Sequence, residues 1–511
     1  MMERRVILKM TAATFAAGMT QSLFSPASAQ TPPAPAQPIA FDPTHLVEQA
    51  RELAKKPFVA PPTDLPEPFT DLTYDQYVGL RAKPDAVQWV KDNVGFEIEP
   101  LHRGYIFSAP MEINLVVDGT VQRLAYKASD FDFGHLQPPL NIADIGFSGF
   151  RVLQPRDNAP AIDVAIFQGA SFFRALAKGQ AYGVSARALA IRTADGVKGE
   201  EFPVIRAVWI EKPTLAANAL VIHALLDSES VTGAYRFTLH PGDATIIDTE
   251  CTLIPRVDID HFGLALMQAS YLFGSLDRHH SEDIRPNVYD VSGLQIEKGN
   301  GEWIWRPVSN RETLQISVFA DQNPKGFGLL QRDRNFERFQ DDDQHWERRP
   351  SLWIEPIGDW GEGSVILIEI PSDFEVNQNI IAYWRPKQVL AANSETQFAY
   401  RQFWCWHPPA QPPLAHVTGA RSGKAGKRRR FMVDFAGDIL GDPAQSGDIK
   451  ANLWAGAGTI SNVRSFPSRE TKTFRVSFDL DPGSETLAEL RLVLENGGKP
   501  MSETWLYRWT P

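Results

Sequence analysis

Residues 289–384 hold the densest set of side chains able to do chemistry. Trp303, Trp305, Trp346, Trp353, Trp360 and Trp384, six of the chain's 13 tryptophans, lie there. Carboxylates such as Asp290, Glu355, Glu369 and Glu375 are interleaved with Arg306, Arg332, Arg334 and Arg349. Indole faces stack on the apolar C–H faces of sugar rings, while hydroxyls take charged or amide partners. Two carboxylates flanking such a cleft would supply an acid and a base or nucleophile for glycosidic cleavage. The same residue types also have a plainer use. Tryptophan is a common core residue, and surface carboxylates pair with arginine. Asp341-Asp342-Asp343 lacks the spacing of a calcium loop and reads as a solvated loop.

Upstream, Gly169–Arg174 (G-A-S-F-F-R) and Tyr182–Arg187 (Y-G-V-S-A-R) bring in two more cations. Arg174 and Arg187 either enter the same cleft or pair with buried carboxylates. Gly146 and Gly149 stand between aromatics, as a tight strand bend requires. No C-x-x-C, H-E-x-x-H, Walker A or G-x-S-x-G pattern is present, so no metal site and no cofactor is expected. A net charge of −11 argues against nucleic acid as a partner and against anionic membrane surfaces. The basic run Lys427–Arg430 reads as a solvated strand end.

The elements that must carry these residues are mostly strands. The first 29 residues read as a twin-arginine signal peptide. Arg4-Arg5 precedes Val6, Ile7, Leu8 and Lys9, a weakly apolar stretch follows, and Ala27-Ser28-Ala29 offers a cleavage site. The predicted location is therefore the periplasm, and no downstream segment reads as membrane-spanning. Residues 30–40 form a Pro/Ala-rich tether. Leu46, Ala50, Leu53 and Ala54 recur at helical spacing, and a second short helix is expected over Tyr74–Arg81. Beyond residue 100, strand signals recur every 8–12 residues, including a hairpin turning at Asp118-Gly119. One exception is a helix expected over His261–Phe273. The class is all-β with a few peripheral helices. A large sandwich over 41–406 is followed by the proline-rich segment 407–413. Residues 414–511 have the size and spacing of a seven-strand immunoglobulin-like sandwich without its cysteines. Cys251 and Cys405 are the only cysteines, too few for a disulfide framework.

Several runs are long and specific. They include G-F-S-G-F-R-V-L (146–153), G-A-S-F-F-R (169–174), G-Q-A-Y-G-V-S-A-R-A-L-A-I (179–191), G-N-G-E-W-I-W-R-P (299–307), N-P-K-G-F-G-L-L-Q-R (323–332) and S-E-T-W (502–505). In these runs the chain resembles the periplasmic glucan biosynthesis proteins of the G and D type, which act in making osmoregulated periplasmic glucans. The twin-arginine signal looks more like the D type. The resemblance implies a mutarotase-like β-sandwich joined to a smaller immunoglobulin-like domain. It also implies a β-1,2-linked glucan as ligand and the membrane glucosyltransferase of the same pathway as a partner.

Some members are similar to inverting glycoside hydrolases that cut this backbone. In them, one Asp in a run like N-D-N-I-V-A-Y-W is the general acid. A second, in a run like H-D-S-N-G, lies on the water-activating path. The second matches Asp290 in Y-D-V-S-G. The first falls on Gln378 in N-Q-N-I-I-A-Y-W, and an amide has no useful acidity near neutral pH. Two readings follow. In one, the protein binds and shapes glucan without cutting it. In the other, it is a hydrolase or transglycosylase using Asp290 and an acid other than position 378, with Glu375 or Asp373 nearby. On either reading, the expected glucan contacts are Trp303, Trp305, Arg306, Arg349, Trp353, Tyr383, Trp384, Arg174 and Arg187.

Overall fold

Alternation of apolar and polar residues, punctuated by Gly, Pro and Asp turns, folds this chain into stacked sheets. The computed structural model describes residues 39–137, 142–215, 217–278, 282–441 and 449–511. The signal peptide expected over residues 1–29 and most of the tether expected over 30–40 lie outside those residues. Among the described residues, no helix is long and apolar enough to cross a membrane.

The larger sheet runs from Thr120–Arg123 and Glu112–Val117 through Val204–Glu211, Leu220–Asp227, Val231–His240 and Ala244–Pro255. It continues through Thr396–Cys405, Ser351–Ile357, Gly326–Leu330, Gly293–Glu297 and Trp303–Pro307. A second sheet is ordered Gln315–Gln322, Glu362–Glu369, Ile380–Pro386, Phe262–Ala269, Ser185–Arg187, Phe172–Ala175, Ala159–Gln168, Gly149–Arg156, Glu97–Leu101. The two pack face to face. Phe167 meets Phe237 with ring centroids 5.4 Å apart, and Phe173 meets Trp404 at 6.2 Å. This is the all-β sandwich that the strand spacing predicts.

The expected hairpin forms between Glu112–Val117 and Thr120–Arg123, with Asp118 and Gly119 both at positive φ, as a two-residue turn of the favoured hand requires. The amphipathic helix is Thr44–Ala54. It buries Leu46 and Ala50 against Leu225, Ala234 and Ile254. The second helix is shorter than expected, Tyr74–Val78, and is opened by a capping box of Thr73 and Gln76.

The helix expected over His261–Phe273 is not there. Phe262–Ala269 and Tyr271–Phe273 are strands, and every residue of Phe262–Ala269 is buried. A strand covered on both faces shows no alternation, so its apolar run looks the same as that of a buried helix.

Residues 407–413 take neither helix nor strand. Beyond them, His416–Ala425, Arg428–Ala436, Thr473–Asp481 and Thr459–Ser468 form a four-stranded sheet. It packs on three further strands, Lys450–Ala455, Ala488–Asn496 and Thr504–Trp509, with Phe431 and Phe478 against Trp505. Those three strands extend the larger sheet, because Ile304 and Trp305 pair in parallel with Thr504 and Trp505. The polypeptide on both sides of the prolines thus shares one sheet.

Cys251 and Cys405 are buried and free. They sit on adjacent strands, but the register sets Cys251 opposite Phe398 and Cys405 opposite Ala244. That separates them by roughly 24 Å at about 3.4 Å per residue, far beyond disulfide reach.

Candidate functional site

The second sheet presents its inner face to the core through residues such as Val152, Ala165, Phe173, Ala186 and Met267. Alternation then sends the intervening residues outward. Opposed partners across six strands make one outward row: Glu99, Arg151, Ile166, Arg174, then Ser185 and Gln268. Polar side chains in the middle of a sheet need partners, and loops from the rest of the sandwich supply them.

Gln378, at the start of the strand Ile380–Pro386, folds over this row. Its Oε1 accepts from Ser185 Oγ at 2.6 Å and from Gln268 Nε2 at 2.7 Å. Its Nε2 donates to the Gly183 carbonyl at 3.1 Å. Arg187 donates to Gln268 Oε1 at 3.1 Å and to Glu200 at 2.5 Å, so it holds the row from below. It is also stacked between Phe172 and Phe202. Of the two readings of Arg187, the structure therefore favours pairing.

Gly183 links position 378 to Asp290. A Cβ at Gly183 would lie 2.9 Å from Arg349 Cδ and 3.0 Å from Asp290 Oδ1, so only glycine allows this approach. Asp290 is 4% exposed. Its Oδ2 accepts from the Ser270 N–H at 2.9 Å, and its Oδ1 is 3.7 Å from Arg349 Nε. Burial pushes its carboxyl above the ordinary aspartate range, against the opposing pull of Arg349, Ser270 and Arg174. Arg349 packs its guanidinium over the Trp346 ring at 4.9 Å and donates to Gln344 at 2.8 Å. Arg174 falls within electrostatic range of Asp290, Arg349, Tyr182 and Tyr74.

Arg285 forms the rim. It joins Asp283, Asp341 and Glu375 through bonds of 2.6–2.7 Å. Glu375 is therefore a hydrogen-bond acceptor in an ion pair, and serving as an acid would require breaking that pair. Asp341 departs from the solvated loop expected for it. Burial raises its pKa, but bonds from Arg285, the Gln344 N–H and the Trp346 indole outweigh this and hold it at about 2. Asp342 and Asp343 are exposed.

Asp290, Gln378, Arg349 and Arg174 thus converge, with Arg187 beneath and Glu375 at the edge. The other expected contacts are spent on packing. Trp303, Trp305 and Trp353 belong to the core formed with the C-terminal strands. Arg306 is buried against Glu369 at 3.0 Å. Trp384 points into the main core, while Tyr383 lies over Gly263 and bonds His261 at 3.0 Å. Indole on a strand is drawn to the core by its area, so aromatic density alone marked the wrong surface. Sequence reasoning did not single out Ser185, Gln268 or Ser270. Only the glycine and serine inside Y-G-V-S-A-R hinted at the first of them. It also passed over Tyr74 and Tyr105, exposed and in edge contact at 6.0 Å near Arg174.

The family described as periplasmic glucan biosynthesis protein, MdoG, matches residues 41–509. The chain is 46% identical over 486 residues to glucans biosynthesis protein G of Rhodopseudomonas palustris strain BisA53, covering 95% of this chain and 96% of that one. It is 45% identical over 478 residues to glucans biosynthesis protein G of Vibrio cholerae, covering 92% and 87%. The protein of that name in Bradyrhizobium diazoefficiens is 44% identical over 514 residues, with both chains fully covered. A match of this extent identifies the chain as a member of the periplasmic glucan biosynthesis protein family.

Proposed function

We propose that this protein, exported to the periplasm by the twin-arginine route, binds and shapes a β-1,2-linked glucan backbone without cutting it. It would receive the chain from the membrane glucosyltransferase of the same pathway. The observation that carries the reading is the amide at position 378. Both of its ends are engaged by protein groups, and neither can deliver a proton. The side chains around it are of types that bind glucan: Asp290 and Arg349 for hydroxyls, and Tyr74 and Tyr105 as exposed rings.

The test is incubation of the mature protein with linear β-1,2-glucan, followed by chromatography of the products and a parallel binding titration. Binding without new products supports the reading. Gln378→Glu and Gln378→Asp then place a carboxyl at the position matching the Asp of N-D-N-I-V-A-Y-W in some members of the family, and either variant should gain turnover. Cleavage by the wild type, abolished in Asp290→Asn, would establish the second reading, a hydrolase or transglycosylase with its acid elsewhere.

A further inference from the structure

The Arg174 side chain makes no hydrogen bond and no ion pair to any described residue, although it stands in the middle of a polar sheet row. Arg151, two places along that row, is ion-paired with Glu99 at 3.5 Å and Asp163 at 3.9 Å, its Nε left without a hydrogen bond. Arg187 is taken by Glu200, and Arg285 by its three carboxylates. Two further donors within electrostatic range of Arg174 lack a hydrogen bond. Arg349 Nε is buried without a hydrogen-bond partner, and so is the Tyr182 hydroxyl. Burial drives the tyrosine's pKa far upward, so the phenol stays protonated and can donate.

Arg174 is half-buried, and the Arg349 side chain is 14% exposed. Among the described residues, Asp290 is the one carboxylate ion-paired with Arg349, and none is ion-paired with Arg174. The planar fork of arginine matches carboxylate and phosphate oxygens, which accept two of its N–H groups at once.

We propose that Arg174 and Arg349, with the Tyr182 hydroxyl, form an oxyanion subsite that takes a carboxylate or phosphate-ester group carried on the glucan, beside Asp290. This rests on the glucan-binding reading above and adds to it a preference for chains bearing an acidic substituent.

The experiment compares linear β-1,2-glucan with the same glucan chemically phosphorylated, titrated into the mature protein by calorimetry, with inorganic phosphate as competitor. The phosphorylated chain is expected to bind about tenfold tighter, as one charge-assisted bidentate contact would give. Added salt should erode the preference, and inorganic phosphate should displace the phosphorylated chain only. Arg174→Gln should abolish the preference, Arg174→Lys should keep part of it, and Tyr182→Phe, which keeps the ring, should reduce it severalfold. Equal affinity for the two glucans, or a preference that survives in folded Arg174→Gln or Arg174→Lys undiminished, overturns the subsite and leaves the backbone-binding reading standing. Arg174-dependent binding of the phosphorylated chain with no binding of the neutral one supports the subsite and removes the backbone-binding reading.

Discussion

Asp290 is buried and Gln378 half-buried, with opposite consequences. The amide at 378 is neutral and makes three hydrogen bonds, so partly burying it costs little. The carboxyl at 290 is charged when ionised, and burial raises its pKa. A carboxyl whose folded pKa exceeds its unfolded value of about 3.9 contributes its stability fully below that value. The contribution is lost as pH rises through the folded pKa. Relative to Asp290→Asn, the wild type should therefore lose stability as pH rises from 3 to 7. Urea melts of both proteins at the two pH values check this, and a difference that does not change with pH contradicts it. Both positions could be read from the sequence through their motifs. Their bond partners could not, because Ser185 and Gln268 come from strands that only sheet register brings together.

At the scale of elements, the strand Phe262–Ala269 shows what packing requires of sequence. Gly263 lies under Tyr383, where a Cβ would come within 2.2 Å of the ring. Gly263→Ala should push Tyr383 off its bond to His261 and cost about 1–3 kcal/mol, as other overpacked cores do. Thermal unfolding measures the loss, and wild-type stability in the variant would mean that the ring can move freely. A second element carries an acid sensitivity. His102 is buried among Phe69, Phe131 and Phe133 and bonds Tyr126 at 2.9 Å. Burial lowers its pKa from 6.5 to about 4. The unfolded chain takes up the proton first, so stability present above pH 6.5 drains away as pH falls towards 4. The loss is on the order of 3 kcal/mol. Replacing His102 by Gln should flatten that part of the pH profile, and an unchanged profile would locate the sensitivity elsewhere.

At the scale of the molecule, the run S-E-T-W, one of those carrying the family resemblance, has a structural use. Glu503 is 0% exposed and accepts from Arg332 at 2.6 and 3.0 Å, from the Val417 N–H at 2.7 Å and from Gln295 at 3.3 Å. Arg332 in turn lies 3.5 Å from the centroid of the Trp305 ring. This pins the C-terminal strands to the larger sheet across residues 407–413. Removing one partner strands a buried charge, so Glu503→Ala should cost about 3–5 kcal/mol. Arg332→Ala should cost a similar amount, and the double variant less than their sum. Denaturant melts of all three measure the coupling, and strict additivity would show that the two side chains act independently.

Sheet-rich class and family could be read residue by residue. Alternation, turn dipeptides and long motif runs are local properties that each strand states for itself. The same local reading named four tryptophans, Trp303, Trp305, Trp353 and Trp384, as glucan contacts because it registers their type and not the face they occupy. Which face of a strand meets solvent depends on what packs against it. Which arginine keeps a partner depends on carboxylates far away in sequence. Arg174 and Arg187 lie in equally suggestive motifs, and the difference between them is Glu200. Register, burial and the counting of charges within one cluster are relations between distant segments. They came into being only when the sheets closed on each other.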